Sequence, residues 1–166
     1  MSDEIEKLAP VSERTALENF LDAQREALIR KIEGLGDEAA RTTPTASSLS
    51  LLVLVKHAAV WERRWFQVVA AGRRFPGEWP EDGDDERADL MVGADETVAQ
   101  VVAYYREQIE ESRAIAASMD LDAMCARPDI VACNVRFVLF HMVEETARHA
   151  GHADIIRETI DGSRGM

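Results

Sequence analysis

RRFPGEWPEDGDDERADLMVGA, residues 73–94, interrupts a chain that on both sides reads as helix. Its Pro, Gly and Asp content argues against regular structure. Its length exceeds the roughly 2 to 8 residues usual between neighbouring helices of a bundle. A connector this long can carry the chain from one end of a bundle to the other, so the helices it joins can run parallel. With four long helical segments in the sequence, the expected fold is an all-α four-helix bundle, ordered up, down, down, up, with the crossover between the second and third helices. Trp79 in the connector is expected to pack on the bundle as a lid, and the acidic run after it to be solvated surface.

The four segments are read from apolar spacing and stop signals. The first runs from about Ser12 to Glu33, with Leu17, Leu21, Gln24, Leu28 and Ile32 on one stripe, and stops at Gly34 and Gly36. After the loop RTTPTASS, whose serines can cap the next helix, the second runs from about Leu49 to Ala71 and ends at Gly72. The third begins at Asp95 as N-cap, carries Val98, Val101, Val102, Tyr105, Ile109 and Ala116, and closes near Met119. The fourth starts near Asn134 and runs to about Ile160. No alternating strand pattern and no solenoid-type repeat is present.

The chain has 166 residues, which fits one domain spanning 1–166. It is 46% hydrophobic, enough for a core, and carries 31 acidic against 19 basic residues, a formal net charge of −12. That charge repels phosphates and anionic lipid, so nucleic acid and membrane surfaces are not expected partners. The opening MSDEIEKLAP has neither a basic leader nor an apolar stretch, and the most apolar run, Leu49 to Val55, is too short to span a bilayer. A soluble, cytoplasmic protein is expected. Cys125 and Cys133 form no CxxC unit and read as small buried thiols in a reducing compartment.

Three of the four histidines fall within HMVEETARHAGH, residues 141–152. At about 100° per residue, Glu145, His149 and His152 lie about 40°, 80° and 20° round the helix from His141. Phe137, Val138, Ile155 and Ile156 fall on or beside the same arc, so this face is expected to point into the core. Imidazoles and a carboxylate buried there need hydrogen bonds, water or a cation. The fourth histidine, His57, shares a largely apolar stripe of the second helix with Val53, Leu54, Trp61 and Val68. His141 with Glu145, and Glu145 with His149, are pairs at i and i+4, a spacing that can grip one ion. Adding His57 gives two imidazoles and a carboxylate, a set typical of divalent-metal sites with an open position. Glu144 is expected on the outer surface, paired with Arg148. Gly151 costs the helix about 1 kcal/mol relative to Ala, which close approach of a backbone or ligand would explain.

HMVEETARHAGHADIIRE (141–158), LVKHAAVWERRWF (54–66) and KIEGLGDEAARTTPTASSLSLL (31–52) together resemble the DinB-like superfamily of bacterial four-helix-bundle metalloproteins, in its short actinobacterial branch. The resemblance runs from about Glu18 to Glu158. It implies a divalent metal held by one histidine of the second helix and two ligands four residues apart on the fourth. On this sequence those are His57, Glu145 and His149, a glutamate replacing the first fourth-helix imidazole, as in the similar metal-binding domain of mycothiol-dependent maleylpyruvate isomerase. Zinc is the expected ion, with nickel, iron or manganese compatible with the same ligands.

The characterised relatives are transferases and isomerases that use mycothiol or a related low-molecular-weight thiol. The resemblance therefore implies a small-thiol S-transferase in detoxification, with a thiol and an electrophile as its small-molecule partners. His141 and His152 are then candidate proton acceptors, and Arg64, about 20° from His57 on the helix, and Trp61 candidates for the thiol side. With 166 residues, the isomerase's additional C-terminal domain, and with it that particular activity, is not expected. A non-catalytic or regulatory metal-binding bundle is the alternative, and homodimerisation through a helical face is expected. A di-iron carboxylate site fails because Glu145 is followed three residues later by Arg148 where histidine is required.

Overall fold

The computed structural model of the chain describes residues 11–80 and 91–164. Each long helix begins where a side chain satisfies the free backbone N–H groups of the first turn. Helix α1 (Glu13–Ile32) is capped by Ser12, whose hydroxyl accepts from Thr15 N at 3.1 Å. A short α2 (Asp37–Ala40) comes next, a turn the sequence periodicity does not show. Helix α3 (Leu51–Arg63) is capped by Ser50, just beyond the loop serines expected to do so, and continues as a π-helix through Arg64–Ala70. Helix α4 (Val98–Ala117) starts two residues later than expected. Its N-cap is Thr97, not Asp95, because Gln100 completes a reciprocal capping box with it. Helix α5 (Val135–Asp161) is capped by Asn134 and stopped by Gly162 at φ +76°.

Ion pairs along the helices give their directions. Lys56 near the start of α3 meets Glu96 just before α4, and further along Gln67 donates to Gln108 at 2.7 Å, so α3 and α4 run parallel. Arg136 at the start of α5 pairs with Glu13 at 2.8 Å, and Lys31 pairs with Asp154 towards the other end, so α1 and α5 are also parallel. Arg25 of α1 reaches Glu62 of α3, and Arg113 of α4 reaches Asp22 of α1 at 3.1 Å, which makes the two pairs antiparallel. The order is up, down, down, up.

The core fills the bundle in two zones. Leu28, Ile32, Leu51, Val55, Tyr105 and Ile156 are fully or almost fully buried at one end, and Leu21, Phe66, Val69, Val138, Leu139 and Met142 at the other. Each such side chain contributes about 1.5–3 kcal/mol relative to exposure. The π-helix leaves carbonyls unused by its own turns, and Val69 O and Ala70 O accept instead from Arg127 N at 3.2 Å and Ala126 N at 3.1 Å. This docks the loop between α4 and α5 against the end of α3. Gly72 permits the docking twice over, with φ +72° and a Cβ position only 2.9 Å from Ala126 Cβ. Among the described residues no helix is long and apolar enough to cross a membrane.

Candidate functional site

A cleft of about 380 Å3 lies between helices α3 and α5, and the connector after the π-helix covers part of it with Trp79. His57 and Trp61, one turn apart on α3, line one wall, and His141, Glu145 and His149, on successive turns of α5, line the other. His57 and His149 meet across the cleft with ring centroids 4.8 Å apart, nearly edge to face. Glu145 Oε2 lies 3.5 Å from His149 Nε2, while its Oε1 accepts from Arg148 Nη1 at 2.8 Å. One carboxylate oxygen is thereby anchored outward and the other turned inward. Arg148 also pairs with Glu144, which is exposed as its helical position predicts.

The polar strip of α5 does not point into the core. Phe137 is 46% and Ile155 61% exposed, and the buried face consists of Val135, Val138, Leu139, Met142, Thr146, Ala150, Ala153 and Ile156. The strip sits at the border between core and solvent, where His141, Glu145 and His149 are half-buried. Such a border avoids the cost of full desolvation. His152 is a correction to the inward-facing reading: it is exposed on the rim, its ring centroid 6.0 Å from that of His149, and it does not line the cleft. His141 lies against Trp65 at 4.4 Å and is stacked with Phe137 at 5.9 Å.

Arg64 also differs from expectation. At the first position of the π-helix it is buried, with its guanidinium 5.0 Å from the centre of the Trp61 ring, and it is not part of the cleft lining. It backs Trp61. Trp65 and Trp79, whose place in the site helical spacing does not reveal, complete the aromatic wall. The packing of Trp79 agrees with the expectation for the connector, whereas most of the acidic run after it, residues 81–90, lies outside the described residues. Gly151 has open space where a Cβ would stand, so no close protein neighbour accounts for it.

His149 carries the electrostatic signature of the site. Burial lowers its pKa, against the opposing attraction of Glu145, and the nearby His152 and Arg148 lower it further. The neutral imidazole that results has a lone pair to give. Both of its ring nitrogens are buried without a hydrogen bond among the described residues, a condition that ordinarily costs about 1–3 kcal/mol. Two imidazoles and a carboxylate on facing helices, one imidazole unsatisfied, suit a divalent cation. Among the described residues, the donor atoms that gather most tightly, one each within 4.8 Å of the others, are those of His141, Glu144 and Glu145, but Glu144 is exposed and both carboxylates are already engaged by Arg148.

The family model described as mycothiol S-transferase matches residues 16–162. The chain belongs to that family, a DinB-like one. Among solved structures, a conserved protein from Enterococcus faecalis has the same fold, with a TM-score of 0.66 at 15% identity over 93% of this chain and 100% of that one. No curated protein matches the sequence. Membership of a mycothiol S-transferase family suggests transferase-like function and use of a small thiol.

Proposed function

We propose that this mycothiol S-transferase family member is a divalent-metal-dependent enzyme joining the sulfur of a mycothiol-type thiol to an electrophile, with His57, Glu145 and His149 as metal ligands. The observation that carries this reading is the approach of His57 and His149 to 4.8 Å from two helices that are not consecutive, with Glu145 alongside, at the head of an accessible cleft. A bound divalent ion, zinc by default, would supply charge that favours the thiolate at neutral pH. Arg148 holds Glu145 in place through one oxygen and leaves the other to face His149. His141, on the cleft wall, is a proton acceptor not assigned to the ion, and His152 on the rim is a relay to solvent. In the transfer an S–C bond forms, the leaving group departs with its bonding pair, and the thiol proton passes to His141.

An accessible cleft favours catalysis over a purely regulatory role, since a structural ion is ordinarily sealed by four protein ligands. Metal analysis joined to a thiol-consumption assay tests the proposal. Purified protein is expected to hold about one divalent ion per chain, His57→Ala and His149→Ala to lose it, and thiol to be consumed only when an electrophile is added. Metal-free protein that cannot be refilled, or full turnover by both variants, would overturn it.

A further inference from the structure

We propose that Trp61, Trp65 and Trp79 form the subsite for the electrophile and select an uncharged molecule with an apolar, planar ring, a substrate class that rests on the transferase reading above. Trp79 stands edge-on to both of the others, 5.5 Å from Trp61 at 85° and 5.7 Å from Trp65 at 87°, so the three indoles interlock into one fixed surface. His141, packed on Trp65 and stacked with Phe137, extends that surface along α5. Of the remaining polar lining residues, His57, Glu145 and His149 gather at the other end and Thr146 is buried. A ligand filling the cleft therefore meets donor atoms at its reacting end and aromatic faces along its body.

Charge sharpens the choice. No Lys or Arg lines the cleft among the described residues, and its one acidic residue is Glu145. An anionic electrophile would meet no basic side chain along the aromatic wall, in a protein of net charge −12, and the proposed ion stands at the reacting end. Aromatic faces hold planar apolar rings through area and edge-to-face contact. The cleft, about 380 Å3, falls within the range of small-molecule sites. The wall is also anchored: Glu78, beside Trp79, accepts from Arg127 Nη1 at 2.7 Å, and Arg127 is itself tied to the π-helix through its backbone. An indole on a connector would otherwise be free to leave.

The test is fluorescence titration of the metal-loaded protein with N-phenyl-1-naphthylamine, a neutral two-ring probe, beside the anionic 1-anilinonaphthalene-8-sulfonate. The neutral probe is expected to saturate at about one site per chain. Trp79→Ala is expected to weaken it about tenfold and Trp79→Phe to restore most of the affinity, with unchanged helical circular dichroism showing that both variants fold. The sulfonate is expected to bind at least about tenfold more weakly than the neutral probe. Equal binding of the two probes, or an unaltered affinity in Trp79→Ala, overturns the proposal. The two readings fail separately. Neutral-probe binding that depends on Trp79, without thiol consumption, upholds the subsite and removes the transferase; thiol consumption indifferent to charge and ring on the electrophile does the reverse.

Discussion

Replacing Glu62 by Gln should destabilise the protein by roughly 3 kcal/mol, the lower end of the range for breaking a buried ion pair. Glu62 is completely buried on α3, and its carboxylate receives Arg25 of α1, itself only 3% exposed, through Nε at 3.3 Å and through Nη2. Burial works to lower the Arg25 pKa, and the charge and hydrogen bonds of Glu62 reverse that and raise it. Gln would preserve the shape but leave a buried guanidinium facing a neutral amide. Asp22, 2.7 Å from Arg25 Nη1 but at the surface, offsets part of the loss. For a domain of this size the penalty corresponds to a fall in Tm of about 6–12 °C, a large share of a total stability of about 5–15 kcal/mol. The pair also bears on the site. Glu62 lies about 140° round α3 from His57, so fixing Glu62 against α1 fixes the rotation that presents His57 to the cleft. Thermal and urea unfolding of Glu62→Gln, and of Arg25→Met with Glu62→Leu, measure the effect. The double variant, which removes both charges, is expected within about 1 kcal/mol of the parent or above it. A Tm fall of less than about 2 °C in Glu62→Gln would refute the reasoning.

Backbone freedom and thiol burial give two further expected outcomes. Gly151→Ala, at an exposed helical position with room for a methyl group, is expected to raise stability by about 1 kcal/mol and Tm by about 2–4 °C; a fall would reveal a neighbour at that position. Cys125 and Cys133, with sulfurs 3.7 Å apart and no disulfide, are expected to resist iodoacetamide at pH 8 in the folded state and react in denaturant. Burial, and after it the neighbouring Cys133, pushes the Cys125 thiol up to about 12, and burial also raises Cys133. Because the folded pKa lies above the unfolded one, this contribution to stability is fully present below about pH 8.5 and is lost as pH rises toward 12. Urea titrations across that window, with Cys125→Ala as the comparison, should show the wild-type decline and a flatter profile for the variant.

The sequence by itself determined the four helices, because apolar residues at helical spacing and capping side chains are local signals. Ser12 and Asn134 mark helix starts in the chain as plainly as in the fold. Connector length carried the parallel run of α3 and α4. A candidate cation site was legible in the spacing of His141, Glu145 and His149, since i and i+4 residues are neighbours on any helix. What a helical wheel cannot supply is the boundary of burial. It put the polar strip of α5 into the core and turned His152 inward, whereas packing against α1 and α3 leaves the strip at the core's edge and His152 in solvent. The meeting of His57 with His149 was implied by resemblance and by no local signal, and tertiary structure alone decided that Arg64 backs Trp61 and that Trp65 and Trp79 wall the cleft. Those relations join residues far apart in the chain. They depend on the rotation and separation of helices, which the summed packing of the whole bundle fixes and no short stretch encodes.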